Sequence, residues 1–178
     1  MASGFGNFRN AVSVTDVIHD RIHQGTFFQS NNFEAAVANN GTLEMLVRVT
    51  TGAHLRWSAN VGGDSLGTFY NGPTLTDDGT ALSAVNFNTF SSLTAVTEVY
   101  DGPTYSDPGT PVLENIFIPG GSKGQVTGGS GGAFEEFVLG PGDYLGRLQN
   151  ISGNNNVPLQ IIVHWYEPQG RVAVLGGD

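Results

Sequence analysis

Residues 69–86 read FYNGPTLTDDGTALSAVN and residues 99–116 read VYDGPTYSDPGTPVLENI, so one pattern is written twice. Tyr70 falls on Tyr100, Gly72-Pro73-Thr74 on Gly102-Pro103-Thr104, Asp77 on Asp107 and Gly79-Thr80 on Gly109-Thr110, with the same offset at every match. Each copy has the chemistry of a strand end followed by two tight turns. Gly72 and Gly102 are free to take positive φ, and Pro73 and Pro103 fix φ near the turn value. Asp77 with Gly79, like Asp107 with Gly109, supplies the second turn. The tyrosine before each box and the threonine after it favour extended backbone. Two such units with a strand between them predict an antiparallel meander whose corners are pinned by Gly-Pro and Asp-x-Gly. Gly72, Pro73, Gly79, Gly102, Pro103 and Gly109 are therefore assigned to structural turns. Neither copy has the Asp-x-Asp-x-Asp-Gly spacing of a calcium loop.

Outward from the repeat, strand patterns dominate. Between 42 and 50, Leu43, Met45, Val47 and Val49 share one face while Glu44, Arg48 and Thr50 share the other. Between 53 and 61, Ala53, Leu55, Trp57, Ala59 and Val61 point one way and His54, Arg56, Ser58 and Asn60 the other, which places Trp57 in a core. Residues 25–30 read as an aromatic and polar strand, and 31–40 as an irregular segment leading into an Asn40-Gly41 turn. Downstream, 134–167 reads as a strand, a Gly140-Pro141-Gly142-Asp143 turn, a strand, an Asn-rich turn and a closing strand. In that last strand Val157, Leu159, Ile161, Val163 and Trp165 alternate with Gln160, His164 and Glu167, and Pro158 belongs at its start or on an edge. About eight to ten short strands punctuated by turns predict an all-β fold, a jelly-roll-like β-sandwich with an N-terminal arm. The domain reading is an arm and short helical turn over 1–22 and a single β-sandwich domain over 23–178.

Composition agrees with this class. The chain has 178 residues, enough for one domain with a sound core, and no cysteine, which excludes disulfides and thiolate metal sites. Sixteen acidic against seven basic residues, a net charge of −9, repel phosphate backbones and argue against nucleic acid as a partner. Only 13% of residues are charged while 26 are glycine, as suits many turns and a weakly charged surface. The N-terminus lacks an apolar signal core, and the longest apolar run, around Leu159 to Val163, is too short to span a bilayer. A soluble protein outside the usual secretory route, with no membrane partner, is expected.

Residues 1–11 carry Phe5, Phe8 and Arg9 among glycines without any period. They read either as a loose terminus or as an arm that orders on a partner, with Phe5, Phe8 and Arg9 as its contact residues. Phe27, Phe28 and Phe33 follow closely, more aromatics than one core takes up, so some are expected to meet another subunit in a homo-oligomer, a dimer or trimer. Thr15 or Asp16 caps a short helical turn through Val17, Ile18 and Ile22, with Gly25 as its stop. Within it His19 and His23 stand at i and i+4, a spacing that could grip zinc. The zinc-protease motif has Glu directly after the first histidine, whereas Asp20 stands here, and the only further histidines, His54 and His164, lie in strands. Ordinary surface histidines, no metal and no cofactor are the reading.

No catalytic constellation assembles from the sequence. There is no Gly-x-Ser-x-Gly elbow, and the adjacent Glu135 and Glu136 face opposite ways on a strand, so an enzyme is not expected. The glycine-rich stretch over 120–132 resembles a phosphate loop only in glycine content and reads as a flexible surface loop.

The Tyr-Gly-Pro-Thr box followed by Asp-x-Gly-Thr, and the closing pattern Leu139-x-Pro141-x-x-Tyr144, Asn150-x-Ser152 and Trp165-Tyr166-Glu167, resemble tailed-phage head decoration proteins, also called cement proteins. The resemblance covers residues 17–167, and the long glycine-rich loop departs from it. It implies a jelly-roll-like domain on the outer surface of the icosahedral shell, a small oligomer that bridges and stabilises neighbouring major capsid subunits without catalysis or cofactor. Phe5, Phe8 and Arg9 then become expected contacts with the capsid or a neighbouring subunit. The alternative is a carbohydrate- or receptor-binding module of a phage head appendage, with Trp57, Tyr70, Tyr100 or Tyr105 stacking on sugar rings, against which Trp57 also reads as core from the apolar face of its strand.

Overall fold

Period-two alternation in residues 42–49, 53–61 and 157–166 makes three strands that each bury one row of side chains. In the computed structural model, which describes residues 17–121 and 136–167, these strands form the middle of two facing sheets. In chain order the elements are α1 (Val17–His23), β1 (Phe27–Val37), β2 (Thr42–Val49), β3 (Ala53–Val61), β4 (Ser65–Asn71), β5 (Thr74–Asp77), β6 (Thr80–Leu82) and β7 (Val85–Asn86). There follow β8 (Glu98–Asp101), β9 (Thr104–Asp107), β10 (Thr110–Ile118), β11 (Phe137–Leu139), β12 (Gly142–Asn150) and β13 (Val157–Tyr166). One sheet runs β11-β3-β13-β1-β7, the other β10-β4-β12-β2-β8-β6, and β5 pairs with β9 as a separate ribbon. The fold is an all-β sandwich. Its long strands pair in a nested way: β1 with β13, β2 with β12, β3 with β11 and β4 with β10, all antiparallel.

The core fills from both inner faces. Trp57 on β3 and Trp165 on β13 are fully buried, and Phe69 on β4 lies 6.1 Å from the Trp57 ring, 5.2 Å from Phe137 and 6.0 Å from Tyr144. The Trp57 indole rests against the backbone of the opposite sheet, where a Cβ on Gly67 would come within 2.8 Å of the ring and one on Gly146 within 3.2 Å. Glycine at those two sites is what lets a bulky indole bridge the layers.

The two repeats do not form a meander. Each copy gives three strands, β4-β5-β6 and β8-β9-β10, and they interlock: Thr110 pairs with Asn71, Thr80 with Asp101, and β5 with β9. Pro73 and Pro103 lack the N–H that a tight hairpin back onto the preceding strand would need, so each copy finds its partners in the other. Asp77 and Asp107 close the second turns by accepting the amides of Gly79 and Gly109 at 2.8 and 2.9 Å. The first copy ends in the two-residue β7, and 87–97 between the copies carries no strand, where the meander would have required one.

Two further strand readings change. Residues 31–37 continue β1 against β13 rather than being irregular, with a bulge between Glu34 and Val37. Ladder bonds to β13 supply order there without apolar alternation, and Asn32 reaches Glu44 O and the Asp101 carboxylate from a buried position. Glu167, grouped with the polar face, is buried beside Trp165. Pro158 is the second residue of β13, ahead of the ladder to β3 that begins at Leu159. Asn40 takes φ 62° in the Asn40-Gly41 turn.

Helix α1 ends in a Schellman arrangement: Gly25 N donates to Ile22 O at 2.9 Å and Thr26 N to Arg21 O at 3.0 Å, with Gly25 at φ 70°. The expected caps Thr15 and Asp16 lie outside the described residues. No helix among the described residues is long and apolar enough to cross a membrane.

Candidate functional site

Of the residues singled out by sequence, Phe5, Phe8 and Arg9 lie outside the described residues, as does most of the glycine-rich loop. Gly72, Gly79, Gly102 and Gly109 all have positive φ, 70°, 89°, 61° and 91°, and sit at the corners of the interlocked repeats. Phe27 and Phe28 are buried, whereas Phe33 on β1 is 57% exposed.

The ribbon of β5 and β9 reaches over the outer face of the second sheet. Leu46 and Leu145 lie directly opposite each other there, on the side away from Met45 and Val47, yet both are fully buried. Around them the ladder sets Arg48 across from Asp143 and Arg147 across from Glu44, an approximate two-fold relation that matches the repeats. Arg48 donates to Asp143 at 2.8 Å and, in a two-pronged contact at 2.6 and 2.8 Å, to Asp78 in the turn after β5. Those bonds hold the Asp78 carboxyl below its ordinary range. Arg147 donates to Glu44 at 2.7 Å, to Tyr70 at 3.1 Å and to Tyr105, whose hydroxyl in turn donates to Glu44 at 2.6 Å. Burial, then the Glu44 contact, pushes the Tyr105 phenol up. The guanidinium of Arg147 covers the rings of Tyr70 and Tyr105 at 5.1 and 5.6 Å, and that of Arg48 covers Tyr100 at 5.5 Å. The rings that sequence offered for sugar stacking are thus engaged within the fold.

On the outer face of the first sheet, Glu136 accepts from His54 at 2.8 Å and from Tyr166 at 2.7 Å, with Arg56 at 3.5 Å. The Tyr166 bond, then the His54 bond, lowers the Glu136 pKa, and burial followed by the carboxylate pushes Tyr166 up to about 12. His164 Nε2 donates to Gln29 Oε1 at 2.9 Å, and burial lowers the histidine pKa. Among the described residues no three His, Cys, Asp or Glu side chains gather around one point.

No protein family matches the sequence, and no curated protein or solved structure matches it either. Function therefore has to be argued from the surface itself.

The feature that the core does not explain is the segment joining the two repeats, residues 87–97. It is held by side chains that bond backbone. Asn86 Nδ2 donates to Gly25 O at 2.8 Å and Leu93 O at 3.0 Å, and Asn88 Nδ2 to His23 O at 3.0 Å. Asn88 Oδ1 accepts from Phe90 N at 3.1 Å, and Ser91 Oγ from Leu93 N at 3.1 Å. At its far end the buried Glu167 carboxylate accepts from Val96 N at 3.1 Å, Thr97 N at 2.7 Å and Trp165 Nε1 at 3.0 Å. A segment so tied has little conformational freedom left. Ala95 packs against the core and Phe87 edges onto Phe27 at 5.1 Å, yet much of the segment's apolar surface faces solvent: Phe90 is 100% exposed, Phe87 42%, Leu93 47% and Val96 48%, and the neighbouring Val85 at the sheet edge 60%.

Sequence reasoning missed this segment because it looks for period, and 87–97 has none. The available signal was Asn86-x-Asn88, two residues suited to bonding backbone, set among phenylalanines in a stretch with no strand pattern.

Proposed function

We propose that the protein is a virion structural component that decorates the outer surface of a phage capsid and stabilises it by bridging major capsid subunits, as a small homo-oligomer. The observation that carries this reading is the 87–97 segment, ordered by polar bonds while presenting Phe87, Phe90 and Leu93 outward. Large apolar side chains held ready in solvent lower the ordering cost of docking, which is what a protein-binding anchor needs. The resemblance of the repeat boxes and closing pattern to head decoration proteins supplies the partner, and the nested pairing of the long strands is the order a jelly roll would have. The role is binding and mechanical, with no catalysis and no cofactor.

The test is decoration itself. Purified protein is mixed with undecorated capsids and the pelleted particles are weighed for bound copies. A saturating copy number that matches the capsid lattice, reduced in Phe90→Ser, is expected. Failure to bind capsids, or binding without a lattice-matched limit, would refute the proposal.

A further inference from the structure

Helix α1 is seven residues long and buries none of its side chains, so packing does not account for how its exposed face is arranged. On that face His19 and His23, one turn apart, converge: their Nε2 atoms lie 3.1 Å from each other and their ring centroids 4.5 Å. We propose that this pair binds a divalent late transition-metal ion, Cu²⁺ most tightly, through the two Nε2 atoms in adjacent coordination positions, with water in the remainder.

The geometry supports this closely. Imidazole nitrogen binds such ions at about 2.0–2.1 Å. Two bonds of that length spanning 3.1 Å enclose an angle of roughly 98° at the metal, between the roughly 90° of square-planar and the roughly 109° of tetrahedral coordination. Reaching either takes only a turn of the donor ring, whose Nε2 aims at the other nitrogen in the metal-free pair and so points roughly 41° away from an ion shared by both. Without metal, one ring must donate its Nε2 proton to the lone pair of the other. With metal, both lone pairs point at the ion and each ring keeps its proton on Nδ1, so the donor ring changes tautomer and no proton is released.

The site is also accessible and fixed. Both histidines are exposed, so an ion enters without opening the fold. The backbone at His23 is anchored by Asn88 Nδ2 at 3.0 Å, and the turn beyond it by the Gly25 cap. Imidazole pairs favour Cu²⁺ over Ni²⁺ and Zn²⁺, and the chain has no cysteine to compete with softer sulfur ligands. Because no third His, Cys, Asp or Glu joins the pair among the described residues, the site is open and exchangeable rather than a closed structural centre.

The full chain is titrated with CuCl₂ in a non-coordinating buffer, calorimetry giving stoichiometry and electron paramagnetic resonance counting equatorial nitrogens. A site with two imidazole nitrogens is expected. It should weaken at least about tenfold in His19→Ala and likewise in His23→Ala, because the second ligand acts at a high effective concentration. His54→Ala and His164→Ala should leave it unchanged. Circular dichroism checks that the variants stay folded, as expected for side chains outside the sandwich. Absence of the site in the unaltered chain, or undiminished affinity in the His19→Ala/His23→Ala double variant, would overturn the proposal.

Discussion

Alanine substitution at the four repeat glycines tests the interlocking of the two copies. All four have φ between 61° and 91°, so any L side chain there is strained by about 1–2 kcal/mol. At Gly72 and Gly102 an added Cβ meets nothing within 4 Å, and that strain is the whole cost. At Gly79 the Cβ would overlap Asp101 O and sit 2.9 Å from the Gly102 carbonyl carbon. At Gly109 it would overlap Asn71 O and sit 2.8 Å from the Gly72 carbonyl carbon. These are backbone atoms of the partner copy, so relief means parting paired strands, and overpacking of that kind adds about 1–3 kcal/mol. Gly72→Ala and Gly102→Ala should therefore cost about 1–2 kcal/mol, and Gly79→Ala and Gly109→Ala about 2–5 kcal/mol. Urea unfolding followed by fluorescence of Trp57 and Trp165, both fully buried, reads the difference. For a domain of this size the first pair should lower Tm by about 2–8 °C and the second by about 4–20 °C. Equal costs for Gly79→Ala and Gly72→Ala would refute the close crossing of the copies.

Phe90→Ser, at a fully exposed side chain, should leave the unfolding free energy from urea titration within about 0.5 kcal/mol of the parent while weakening self-association or capsid binding in sedimentation. Glu167→Gln exchanges a carboxylate serving three donors for an amide with one accepting oxygen. It should cost about 1–3 kcal/mol and speed amide exchange at Val96 and Thr97, and unchanged exchange there would count against the anchoring role. Acid titration should expose Glu136: its folded pKa lies below the ordinary 4.5, so its contribution is present above that value and fades as pH falls through the depressed one. Glu136→Gln should flatten that part of the stability curve, and an unaltered acid limb would show that the contact with Tyr166 and His54 adds nothing.

What sequence made legible follows from the range of each signal. Alternation in β2, β3 and β13 is local, since every second residue faces the core, and it marked Met45, Trp57 and Ile161 correctly as buried. Turn chemistry is local too, and the repeat glycines, Asn40 and Gly25 all take the positive φ that their neighbours imply. Pairing is not local. Nothing within 69–86 says that its third strand lies beside the first strand of the other copy, because that choice is made by proline-blocked donors and by which backbone leaves room for Gly79. Burial by an overlying element is equally invisible: Leu46 sits on the outward side of its strand and is covered only because the ribbon arrives from a distant part of the chain. Glu167 escaped for the same reason, its donors at Val96 and Thr97 being 70 or so positions away.

The duplication also locates the part of the chain most free to carry function. Both copies are occupied with each other: their first and third strands complete one sheet, their middle strands make the ribbon, and their arginine and tyrosine partners consume the polar groups on that face. A side chain bound into such a lattice of contacts cannot change partner without loosening the fold. The segment between the copies has no counterpart in the repeat and contributes no strand; Phe87 packs on the buried Phe27 ring at 5.1 Å, whereas Phe90, fully exposed, can be replaced without touching either sheet. It is nonetheless held at both ends, by Asn86 and Asn88 against the turn after α1 and by Glu167 from the end of β13. A linker that is held in place, adds no strand to the sandwich and is apolar on its free side meets the three conditions for a docking element. Exchange of residues 88–93 for a glycine-serine segment of equal length, keeping Phe87 on Phe27, should thus leave the sandwich folded and abolish attachment. If attachment survives that exchange, the docking surface lies elsewhere on the protein.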